Sequence, residues 1–151
     1  VEISARSEYA VRALAELARA GGGPLTVADV AAAQDIPARF LQNILLQLRQ
    51  RSLVRSQRGS EGGYRLARLP AEISLADILR AIDGPLAAVR GERPESVHYQ
   101  GTAVPLADVW LALRVSMRHV LEEVTLADLV HGPLPAHVAE LVDNPDAWVS
   151  G

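Results

Sequence analysis

Residues 26–66, TVADVAAAQDIPARFLQNILLQLRQRSLVRSQRGSEGGYRL, decide how the rest of the chain is read. Thr26 is placed to cap a helix, and Asp29, three residues on, is placed to reach back in the reciprocal arrangement of a capping box. That helix is short, because Pro37 starts another: its fixed φ suits a first turn and its missing N–H costs nothing there. Leu41, Ile44, Leu45 and Leu48 then recur at helical spacing, so they face inward while Arg39, Gln42, Asn43 and Gln47 face away. Two runs at 54–58 and 64–66 follow as strands of a hairpin. Gly59, Gly62 and Gly63 supply the permissive backbone between them, with Arg58 at the tip.

Helix, tight turn, helix and hairpin together describe a winged helix-turn-helix. In such a motif the second helix enters the major groove of DNA by its N-terminal part. Arg, Gln and Asn are the types that make paired hydrogen bonds to guanine or adenine. Arg39, Gln42 and Asn43 are therefore the candidate base readers. Residues 37–68 carry seven arginines (39, 49, 51, 55, 58, 65, 68) against one acid, Glu61, a local charge of +6 in a chain of formal charge −3, leaving −9 for the remainder. This segregation puts a basic face where phosphates would be met and acidic faces elsewhere. Arg49, Arg51, Arg55, Arg65 and Arg68 are the candidate phosphate contacts. An interaction module that keeps this shape without touching DNA is the alternative.

With 151 residues, about half of them apolar, the chain suits one domain or a small domain with an appendage. It has no cysteine, so disulfides, thiolate metal sites and cysteine redox switches are excluded for it. No apolar run approaches a membrane span and no charged-then-apolar leader is seen, so the expected location is the cytoplasm.

Ahead of the decisive stretch, Ser4 or Ser7 can cap a helix to about Ala20 whose buried stripe is Ala10, Val11, Leu14, Leu17 and Ala18. Glu8 and Arg12, one turn apart, read as an exposed ion pair. The run Gly21-Gly22-Gly23-Pro24 ends that helix. After the hairpin, Ser74 and Asp77 repeat the capping-box spacing before Leu75, Ile78, Leu79 and Ile82, and this fourth helix stops near Gly84-Pro85. Residues 85–105 lose periodicity and read as a long loop, of the kind that is functional or disordered.

A second organising feature follows. Leu106, Trp110, Leu113, Met117, Val120 and Val124 step by four, three, four, three and four, a heptad seam over a helix of roughly 30 Å at the standard rise. A seam this long wants a partner, and a twofold pairing is the expected one. Two recognition helices held about 34 Å apart would read a palindromic or near-palindromic site. Thr125 to Val130 reads as a short capped helix. Beyond it, Pro133, Pro135 and Pro145 leave room for a brief helix around 136–142 and a loose tail.

The order of these phrases is specific: ISARSEYAVRALAELA, then LRQRSLVRSQRGSEGGYRLAR, then ISLADILRAIDGPL, then VWLAL and VTLADLV. Over residues 3–130 it resembles the Rrf-two (IscR/NsrR/CymR) family of bacterial winged-helix transcription regulators. The resemblance implies a fold that is mainly α with a small β-hairpin wing and a long dimerisation helix. It implies a homodimer whose long helices cross, polar residues early in the recognition helix at the bases, here Arg39, Phe40, Gln42 and Asn43, and a wing arginine, Arg58, in the minor groove. On this view residues 1–84 form the DNA-binding domain, 85–105 the loop that holds an iron-sulfur cluster in many relatives, 106–130 the dimerisation helix with its short successor, and 131–151 a tail.

The chain departs from that pattern in the loop, where Gly91, Val97 and Val104 stand near the places of three cluster cysteines. Without thiolates no conventional cluster is expected, and no cofactor or metal is assigned. Glu92, Glu95, His98 and Asp108 show no ligand spacing of a metal site, and Glu8 matches a carboxylate ligand of some relatives. Tyr99, Val97, Val104 and Trp110 offer an alternative lining for a small-molecule or protein effector. Histidines at 98, 119, 131 and 137 mark no catalytic constellation, so the chain is read as no enzyme, and as a dimeric regulator of transcription, most often a repressor in such families.

Overall fold

The computed structural model describes residues 1–60 and 62–151; Glu61, the one acid in the basic segment, lies outside them. In chain order the elements are α1 (Ala5–Arg19), α2 (Val27–Gln34), α3 (Ala38–Gln50), β1 (Val54–Gln57), β2 (Gly63–Leu66), α4 (Leu75–Asp83), α5 (Leu106–Leu121), α6 (Leu126–His131) and α7 (Ala136–Asp143). The fold is mainly α, with one antiparallel hairpin.

Three helices start on the signals in the sequence. Thr26 and Asp29 close a capping box on α2, Ser74 and Asp77 close one on α4, and Thr125 and Asp128 close one on α6. Ser4 caps α1 by accepting from the Ser7 N–H. Ser7 does not cap; it is buried, and its hydroxyl donates to Asp83 Oδ2 at 2.7 Å. Pro37 is the N-cap of α3 rather than its first residue, because its ψ of 122° is not helical.

The core is built from α1 (Ala10, Ala13, Leu14, Leu17), α3 (Leu41, Ile44, Leu45, Leu48) and α4 (Ile78, Ile82), closed by Val30, Ile73 and Leu126. Leu126 belongs to α6. That short helix therefore packs on α1 inside the head instead of accompanying α5 outward. The return is fixed by backbone: Leu75 N–H donates to the Val124 carbonyl at 2.9 Å, and Leu126 N–H to the Ile73 carbonyl at 3.0 Å.

Val124 is thereby 3% exposed within its own chain, three residues past the end of α5, so it extends no external seam. At sixteen residues α5 is about 24 Å long, shorter than the expected 30 Å. None of its residues is buried: Val109 and Val115 are more than half exposed, while Leu106, Trp110, Leu113, Met117 and Val120 are partly buried within the chain. Residues 85–105 carry two short 3-10 turns, Pro94–Ser96 and Gly101–Ala103, and bury Pro94 and Val97. The tail after α7 also holds a 3-10 turn, Pro145–Trp148, with the Trp148 indole donating to the Val142 carbonyl at 2.8 Å.

Candidate nucleic-acid interface

The recognition helix is oriented by its apolar stripe. Leu41, Ile44, Leu45 and Leu48 are completely buried, which turns Arg39, Phe40, Gln42 and Asn43 outward at the start of α3. Phe40 stays half exposed, an apolar ring among polar side chains. Between α2 and α3, Asp35 takes the left-handed conformation (φ 51°, ψ 51°) that the tight turn requires, and Ile36 plugs the core behind it.

Gln47 departs from the expected outward face. Its amide donates to the Ala81 and Ile82 carbonyls at 3.1 and 3.0 Å, while its Oε1 accepts from Arg6 at 2.8 Å. Helical spacing alone puts Gln47 beside solvent. What decides is that α4 ends next to it with carbonyls lacking helical partners.

The wing stands where the backbone of β2 meets the residue before α2. Leu25 and Tyr64 exchange N–H···O bonds of 2.9 and 2.7 Å, and a Cβ on Gly63 (φ 147°) would lie 2.3 Å from the Leu25 carbonyl oxygen. Only glycine permits that approach, so Gly63 locks the hairpin to the helix-turn-helix. A Cβ on Gly62 would meet the Gln57 carbonyl oxygen at 2.3 Å, which makes the second glycine equally necessary for the turn.

Within the hairpin Arg55 lies directly opposite Arg65, and Ser56 opposite Tyr64. Arg65 donates to Gln57, and Arg49 reaches Ser56 Oγ at 3.3 Å. No carboxylate among the described residues pairs with Arg55 or Arg65. Like charges facing each other across strands are unfavourable unless a counter-charge arrives from outside. Arg49, Arg55 and Arg68 also line one groove of roughly 660 Å³ between the end of α3 and the hairpin. Arg58 is exposed at the tip.

Arg51, grouped with these in the sequence, lies elsewhere. It lines a cavity with Arg80, Arg93, Arg114 and Arg118. Sequence reading missed this second arginine group because its members are spread over 68 positions and no spacing links them. Arg114 pairs with Glu95 at 2.6 Å, and Arg118 with Glu122 at 2.9 Å; Arg80 also bonds Glu122. These hydrogen bonds hold both carboxyls below their ordinary range, Glu122 mainly through Arg80 and then Arg118, Glu95 first through its own backbone N–H and then through Arg114.

Of the other residues singled out in and around the 85–105 segment, the structure brings Trp110 and Tyr99 together. Val97 is buried and Val104 exposed, while the Trp110 indole donates to Tyr99 Oη at 2.8 Å. Among the described residues no three His, Asp or Glu side chains are grouped to hold a metal ion. Glu8 faces Arg12 at 3.2 Å, and Arg12 also bonds the Gln34 carbonyl at the end of α2.

The family model Rrf2, iron-dependent transcriptional regulators, matches residues 3–132. The chain belongs to the Rrf2 family. A Mycobacterium tuberculosis protein named as an HTH-type transcriptional regulator is 56% identical over 145 residues, 95% of this chain and 90% of the relative. The regulator CymR of Bacillus subtilis is 30% identical over 130 residues, 85% of this chain and 89% of the relative. The solved structure of Bacillus subtilis CymR superposes with a TM-score of 0.73 at 30% identity, covering 86% of this chain and 96% of that one. IscR of T. potens gives 0.70 at 29%, covering 100% and 93%.

The Rrf2 relatives are transcriptional regulators, and this chain is a helix-turn-helix regulator of the same kind. The donor set here does not suit an iron-sulfur cluster. Such clusters are held by cysteine sulfur, the chain has none, and of the two loop carboxylates, Glu92 and Glu95, the second is engaged by Arg114. No described helix is long and apolar enough to cross a membrane.

Proposed function

We propose that this Rrf2 regulator is a cytoplasmic homodimer that binds a palindromic or near-palindromic DNA site as a repressor and works without an iron-sulfur cluster. In this reading Arg39, Phe40, Gln42 and Asn43 read base edges in the major groove, and Arg58 enters the minor groove, where negative potential attracts a cation. Arg49, Arg55, Arg65 and Arg68 take phosphates and so fix register without reading sequence. Residues 1–84, joined by α6, act as the reading head, and α5 supplies the pairing surface through Leu106, Trp110, Leu113, Met117 and Val120.

The observation that carries the reading is the outward row at the start of α3 standing beside a wing whose two opposed arginines pair with no carboxylate among the described residues. Support for pairing comes from α5, sixteen residues rich in apolar side chains with none buried in the single chain. The test is a mobility shift with promoter DNA adjoining the protein's own gene, against random duplex of equal length, at two salt concentrations. Preference for the promoter that persists at the higher salt is expected. Equal binding to both duplexes at each salt removes the DNA-reading role and leaves a winged interaction module.

A further inference from the structure

The cavity lined by Arg51, Arg80, Arg93, Arg114 and Arg118 lies between the end of α3, α4, the 85–95 segment and α5, with a volume of roughly 610 Å³. Its acids are too few. Glu95 answers Arg114, and Glu122 is shared by Arg80 and Arg118, so five guanidinium groups face two carboxylates in a chain whose formal charge is −3. Arg51 and Arg93 form no side-chain hydrogen bond or ion pair with any described residue. The Arg114 Nε is buried and lacks a hydrogen-bond partner.

Repulsion among neighbouring cations and an unanswered buried N–H both fall when an anion enters, because guanidinium groups bind carboxylate and phosphate oxygens in paired, charge-assisted bonds. Pro85, Leu86 and Ala87 give the cavity an apolar side, and its size lies in the range of sites for small organic molecules. Bare inorganic ions would leave that side unused.

We propose that this cavity is a binding site for a small organic acid carrying two or more negative charges, as carboxylate or phosphate groups, held by Arg51, Arg93 and Arg114. The site goes beyond the DNA-reading role and is testable without DNA. The experiment is calorimetric titration of the purified protein with citrate and, separately, phosphoenolpyruvate, at ionic strength held constant with sodium chloride.

Saturable binding of one anion per chain is expected, with Kd tighter than about 1 mM for at least one probe. Arg93→Gln and Arg51→Gln should each weaken it by about tenfold, while Arg58→Gln at the wing tip should leave it unchanged. Because the Arg93 side chain forms no hydrogen bond or ion pair among the described residues, its replacement should shift the unligated melting temperature little. Absence of saturable heat with both probes overturns the proposal. So does an equal loss in Arg58→Gln and Arg93→Gln, which would place the anions on the DNA-facing surface. Binding that appears only when the chains are dissociated would mean a second copy fills the cavity, and would overturn it too.

Discussion

Arg55→Gln separates two roles that one side chain plays. In the free protein Arg55 is exposed opposite Arg65, and the replacement keeps a long polar side chain in β1 while removing one of two facing charges. Relief of a directly opposed like-charge pair is on the order of 0.2–1 kcal/mol. For a chain of this length that raises the melting temperature by roughly 0.4–4 °C. On DNA the same charge displaces counterions, about 0.9 in the logarithmic salt slope for each phosphate contact, so a dimer loses about 1.8. Between 50 and 200 mM salt, affinity of the variant should therefore fall by roughly tenfold less than that of the parent.

Fluorescence anisotropy across a salt series, with thermal unfolding in parallel, measures both quantities. A slope change near 0.9 instead of 1.8 would mean that one wing per complex touches phosphate. An unchanged slope, or a melting temperature several degrees lower, would refute the reasoning, since Arg55 would then be a structural residue and not an uncompensated cation awaiting DNA.

Gln47→Ala should destabilise the fold by about 1–3 kcal/mol in chemical unfolding, because two carbonyls at the end of α4 lose their donor, while the salt slope of DNA binding stays unchanged. Met117→Glu, which puts a charge in the middle of the α5 apolar face, should convert a dimer to single chains in sedimentation, with the helical circular dichroism of the head retained. Glu16, 9% exposed, accepts from Arg19 at 2.8 Å and from Gln34 at 2.6 Å, and these bonds, Arg19 first, lower its pKa from the ordinary 4.5. A depressed pKa in the folded state contributes stability above the unfolded value, which is lost as pH falls through the folded one. Glu16→Gln should thus lower stability at pH 7 by about 1–2 kcal/mol and flatten the acid loss below pH 4.5, as read by urea unfolding across pH.

Short-range chemistry was legible in the sequence by itself. The capping boxes at Thr26 and Ser74 join residues three apart, the stripe of α3 repeats within a turn, and the wing glycines sit in one turn, so each signal is complete within a few residues. The +6 segment needed only counting, and the phrases that carry the family resemblance all lie within residues 3–132, which the Rrf2 model matches.

Long-range geometry decided the rest. Gln47 faces α4 because two helix ends meet there, Val124 is buried because the backbone after α5 bonds back to Ile73 and Leu75, and α6 joins the head through Leu126. The arginine cavity gathers residues from position 51 to position 118. Periodicity reports which side of one helix is apolar, but which neighbour a polar side chain answers depends on contacts between segments far apart in sequence, and those exist only once the chain has closed on itself.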